Sequence, residues 1–119
     1  MTIRANRLDR DQREPTDLYF IETQCAEKFI KIGIASNVRN RMSKMQMDCP
    51  YPLRLLKLVP GAAHMERHLH KQFSIDNVTG EWFRPSAALL AIIEELPGRD
   101  TFDDPEVYMS WIPRKRKAA

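Results

Sequence analysis

The stretch from Leu18 to Arg41, LYFIETQCAEKFIKIGIASNVRNR, leaves this chain few folds to choose from. Leu18 to Ile21 reads as a short apolar strand, Glu22 to Lys28 as a polar turn, and Phe29 to Ile34 as a second strand. Alternation places Tyr19 and Ile21 on one face of the first strand, with Leu18 and Phe20 on the other. In the second strand Ile30, Ile32 and Ile34 share a face that is expected to be buried. Phe29, Lys31 and Gly33 take the opposite face. Gly33 has no side chain, so a backbone or a ligand can come close there. On pattern alone Lys31 reads as a solvated strand lysine.

A helix follows, capped by Ser36 or Asn37, since either side chain can accept from a free first-turn amide. Val38, Met42 and Met45 form its apolar stripe, and Arg41 sits at the margin about one turn in. Such an arginine can snorkel along the core edge or hold its fork over an anion, and the pattern does not separate the two. After the breaker DCPYP, Leu53 to Val59 reads as a third strand closed by Pro60-Gly61. Ala62 to Phe73 reads as a helix with a stripe of Ala62, Met65, Leu69 and Phe73. Glu66 lies at the edge of that stripe, with His70 one turn on and on nearly the same side. A carboxylate at a core margin is costly without a partner such as a metal ion, an arginine or a histidine. His64 and His68 share a face turned away from the stripe, and the helix offers them no third ligand, so a zinc site is not expected. Gly80 marks a turn before Glu81-Trp82-Phe83, and Ser86 can cap a last helix running to about Leu96.

At 119 residues the chain suffices for one domain with one modest core. Residues 1–16 read as a flexible polar arm in which Arg4, Arg7, Arg10 and Arg13 alternate with acids. Residues 17–97 read as the folded domain. Residues 98–119 read as an extension that folds back in part and ends in the basic tail Arg114 to Lys117. No apolar run is long enough to cross a bilayer, and Cys25 and Cys49 form no CxxC pair. A cytoplasmic protein without a disulfide framework is expected. The net charge of +3 allows an anionic partner. The order β-β-α-β-α-(β)-α predicts an α+β layer with helices packed on a small antiparallel sheet.

These residues resemble the GIY-YIG nuclease superfamily, in the small phage and bacterial branch. Tyr19 stands at the first motif's tyrosine, FIKIG at the second motif with Gly33 as its glycine, and IASNVRNR leads to the helix arginine, Arg41. Glu66 in MERHLHKQF falls at the family glutamate, and GEWF (Gly80 to Phe83) at its closing signature. Lys31 replaces the second motif's tyrosine, and Met45 stands where some members carry histidine or tyrosine. The resemblance implies a three-stranded antiparallel sheet flanked by helices, and metal-dependent hydrolysis of a DNA phosphodiester. It implies that Tyr19 acts on the attacking water, as general base or through hydrogen bonding, and that Arg41 stabilises charge on the phosphate. Glu66 would hold a single divalent ion, Mg2+ or Mn2+.

A phenol has an ordinary pKa of about 10, so Tyr19 needs the ion or Lys31 nearby to serve as a base at neutral pH. The catalytic set the resemblance implies is thus Tyr19, Arg41 and Glu66, with Lys31 standing in for the second motif's tyrosine and Glu66 as the metal ligand. Gly33, Asn37 and His70 are the expected substrate-binding positions, and DNA is the expected partner, for a monomer or a homodimer. The alternatives are a non-catalytic nucleic-acid-binding module on the same fold, or a protein-interaction adaptor anchored by Trp82 and Trp111.

Overall fold

Strand β1 (Asp17–Thr23) pairs antiparallel on both sides, with β2 (Ile30–Ala35) and with β3 (Leu53–Val59). The computed structural model describes residues 16–102, so the readings of the N-terminal arm and of the tail from Arg114 to Lys117 lie outside the described residues, as does Trp111. Alternation along β1 holds in three dimensions. Leu18 and Phe20 join one core with Ile30 and Ile32, whereas Tyr19 and Ile21 join a second core across the sheet.

The sheet has five strands, in the order β3-β1-β2-β5-β4, and not the expected three. The added pair is a hairpin of β4 (Asn77–Thr79) and β5 (Trp82–Phe83), and β5 lies against β2 through Ile30–Phe83 and Lys31–Trp82. Strands this short carry no period-2 signal, so the sequence showed the turn and one short strand there but not a paired hairpin. Gly80 makes the turn with φ of 55°, a conformation that strains any residue with a Cβ. Asn77 closes the hairpin by donating to the carbonyls of Gly80 and Trp82, at 2.9 and 3.1 Å.

Among the described residues, three α-helices cover the two faces. Helix α1 (Val38–Met47) is capped by Asn37, whose side chain accepts from the Asn40 amide at 2.9 Å. It packs Val38 and Met42 onto the face of Tyr19 and Ile21. Helix α2 (Glu66–Gln72), entered through a 3₁₀ turn at Ala63–Met65, packs Leu69 onto the other face. Helix α3 (Ala87–Glu95) joins it there through Leu89 and Ile93. Its cap Ser86 accepts from the Leu89 amide at 3.2 Å and donates to Asp76 at 2.7 Å. Burying a large side chain such as Phe20 or Phe83 contributes about 2–3 kcal/mol, so each face has its own driving force.

Beyond α3 the chain turns back. Arg99 exchanges backbone hydrogen bonds with Leu58 at 2.7 and 3.1 Å, and Phe102 enters the core of Tyr19. Gly98 permits this approach, because a Cβ there would collide with the Leu58 carbonyl oxygen.

Candidate active site

Tyr19 faces Gly33 across β1 and β2. Its ring lies over the glycine: a Cβ on Gly33 would collide with the phenol hydroxyl and stand 2.6 Å from Cζ. The space the sequence left open at Gly33 is thus filled by the protein's own tyrosine. The hydroxyl is buried and has no hydrogen-bond partner among the described residues. Burial raises the phenol pKa above its ordinary value. The Arg41 charge opposes that shift, and the charges of Glu81 and then Glu66 add to it. Arg41 lowers the pKa by its charge and by the approach of its guanidinium to the hydroxyl, although that approach forms no hydrogen bond of regular geometry among the described residues. At neutral pH Tyr19 is therefore a protonated phenol. The cation that favours its phenolate is Arg41, an exposed residue of α1, and not Lys31 as the sequence suggested.

Lys31 is engaged elsewhere. Its Nζ lies 3.5 Å from Glu81 Oε1 and 5.5 Å from the centre of the Trp82 ring, with only 20% of the side chain exposed. The lysine pairs across the β2–β5 edge and is not the solvated residue its pattern implied.

Glu66 comes from the helical layer on the opposite face, and the end of β5 explains how its charge reaches Tyr19. A strand residue points its N–H and C=O to the same side. At Ile32, one residue past the Lys31–Trp82 pair, both point away from β1. The amide donates to the Glu81 carbonyl at 3.0 Å, and the carbonyl accepts from His70 Nε2 at 2.9 Å. Helix α2 thus lies along the part of the β2 edge that β5 leaves uncovered. His70 is wedged edge-on to Phe83, with ring centres 5.1 Å apart. Glu66 Oε2 lies 4.0 Å from His70 Nε2.

Tyr19 and Gly33 thus face each other across β1 and β2, Lys31 lies two residues from Gly33 on β2, and the charges of Arg41 and Glu66 act on the Tyr19 hydroxyl. Asn37 acts as the cap of α1, and His70 is tied to the Ile32 carbonyl. Glu81 was missed. Its signal was a carboxylate beside a turn glycine in GEWF, but only the pairing of β5 with β2 shows where it lands.

Among the described residues no group of three or more His, Cys, Asp or Glu side chains is placed to hold a metal ion. Glu66 is half-buried, and His70, at the limit of ion-pair distance, is its one ion-pair partner among the described residues. A lone carboxylate of this kind fits a hard cation that keeps most of its waters, and does not fit a tetrahedral zinc cage.

The T5orf172 domain family matches residues 17–96 of the chain. That corrects the resemblance drawn from the motifs: the family found is the T5orf172 domain, which is a different domain from GIY-YIG. No curated protein and no solved structure gives a significant match. No helix among the described residues is long and apolar enough to cross a membrane.

Proposed function

Because this chain belongs to the T5orf172 domain family, a nuclease-like group compatible with nucleic-acid interaction, we propose that it is a metal-dependent endonuclease hydrolysing DNA phosphodiester bonds. The observation that carries this reading is the buried, unpartnered hydroxyl of Tyr19, with one guanidinium and two carboxylates acting on it. An orphaned buried hydroxyl is a standing cost that a fold tends to retain for a use. Its neighbours are the types that phosphodiester hydrolysis requires.

Arg41, exposed on α1, can turn its fork onto two phosphate oxygens and stabilise the charge that grows there. Tyr19, kept neutral by burial, orients the attacking water by hydrogen bonding and does not act alone as its base. Glu66 would hold a single Mg2+ or Mn2+, which when bound would polarise the phosphate and favour hydroxide formation from water. Lys31 fixes Glu81 beside Gly33. His70 fixes α2, and with it Glu66, against β2. The adaptor reading draws no support from Trp82, which is half-buried beneath Lys31.

The test is cleavage of plasmid and branched DNA with Mg2+ or Mn2+. Glu66→Ala should abolish cleavage while leaving DNA binding and the melting temperature near those of the unaltered protein. Arg41→Ala should slow cleavage by about a hundredfold or more. If neither DNA is nicked and Glu66→Ala changes nothing measurable, the nuclease reading fails.

A further inference from the structure

The nuclease reading leaves two things without a role: the proton that the attacking water must lose, and the carboxylate of Glu81. A neutral phenol can take a proton from water only if it gives up its own. Glu81 lies near enough to receive that proton through a bridging water or a turn of its side chain, no hydrogen bond joining the two groups directly. Its Oε1 comes within 3.1 Å of the point a Gly33 Cβ would occupy, and the Tyr19 hydroxyl crowds that same point. Glu81 is held from two sides, by its backbone carbonyl on the Ile32 amide and by Lys31 on its side chain. At 41% exposure the side chain also keeps contact with solvent, which gives the proton a way out.

Resting on the nuclease reading, we propose that Glu81 is a positioning residue that acts through Tyr19 as the terminal acceptor of a two-step proton relay. The water proton passes to the phenol oxygen as the phenol proton passes to a Glu81 carboxylate oxygen. The water oxygen bonds to phosphorus, and the bond from phosphorus to the leaving deoxyribose oxygen breaks. That oxygen keeps the electron pair and takes a proton from solvent. Glu81 then releases its proton to solvent, so no further reactant is needed. Glu81 fits this role better than Glu66, because its charge acts more strongly on the hydroxyl. The competing explanation is an ordinary cross-strand ion pair with Lys31. Pairs this exposed contribute little to stability and should leave turnover untouched.

The experiment compares Glu81→Gln, Glu81→Asp, Tyr19→Phe and the double variant Tyr19→Phe/Glu81→Gln in DNA cleavage, with melting temperatures alongside. A relay predicts that Glu81→Gln lowers kcat by about a hundredfold or more at unchanged KM and melting temperature. Glu81→Asp should keep part of the rate, and the double variant should be no slower than Tyr19→Phe. Ultraviolet titration gives a readout independent of turnover. The ionisation lost in Tyr19→Phe should move to lower pH in Glu81→Gln, because a negative charge beside the phenol has been removed. Unaltered protein that cleaves while Glu81→Gln matches its kcat overturns the relay alone, as does additive loss in the double variant. If Glu81→Gln fails to fold, Glu81→Asp with full kcat and an unmoved phenol titration overturns it equally. Unaltered protein that does not cleave overturns the nuclease reading, and the relay with it.

Discussion

A buried polar atom without a partner costs about 1–3 kcal/mol, and the Tyr19 hydroxyl has none among the described residues. Tyr19→Phe removes that atom and keeps the ring over Gly33. The variant should therefore be as stable as the parent or more stable, while losing cleavage. The pH dependence follows from the raised phenol pKa. In the unfolded chain the phenol ionises near pH 10, and in the folded chain it holds its proton to higher pH. Ionisation of Tyr19 therefore leaves stability unchanged below about pH 10 and lowers it as pH rises from there through the folded value. Urea midpoints at several pH values on either side of 10 should thus fall more steeply for the parent than for Tyr19→Phe. Equal slopes would show that the phenol is not shielded in the folded state.

Helix α2 is only seven residues long, too short to hold its place by helix propensity, and its imidazole tie to the Ile32 carbonyl fixes it to the sheet. His70→Ala would leave that carbonyl without its side-chain donor and should cost about 1–3 kcal/mol in thermal or urea unfolding. Cleavage should fall further than stability, since Glu66 loses its placement, and His70→Gln, which restores a donor, should recover part of both. Much of this scale was legible beforehand. Alternation sorted Tyr19 from Phe20 and Lys31 from Ile32, and the caps and stripes placed α1 and α3, because each such signal repeats along several residues. Of the β4–β5 hairpin only the turn and one short strand were legible, since three and two residues carry no period to show the pairing. Nor could any local pattern show that Lys31 would meet Glu81, which lies 50 residues later and arrives only through strand pairing. Arg41 stayed ambiguous for the same reason: the phenol it faces belongs to another element.

The described residues form a sheet covered on both faces, and the segment after α3 completes one of the covers. Phe102 packs with Tyr19, Val38 and Met42 although it lies past the end of the matched family region at residue 96. Phe102→Ala should cost about 3 kcal/mol in urea unfolding, and a cost near zero would make the segment an ornament of the fold. The other feature at this scale is how little of β2 is paired on its outer side, where β5 contributes Trp82 and Phe83 alone. Local unfolding favours segments with few backbone pairs and exposed hydrogen bonds, so this hairpin is expected to open more readily than the three central strands. Each opening carries Glu81 away from Tyr19 and withdraws the carbonyl that holds the Ile32 amide. The free energy of that excursion sets the fraction of molecules in which the carboxylate stands beside the phenol. On the relay reading, local stability and readiness for chemistry at this edge are the same quantity.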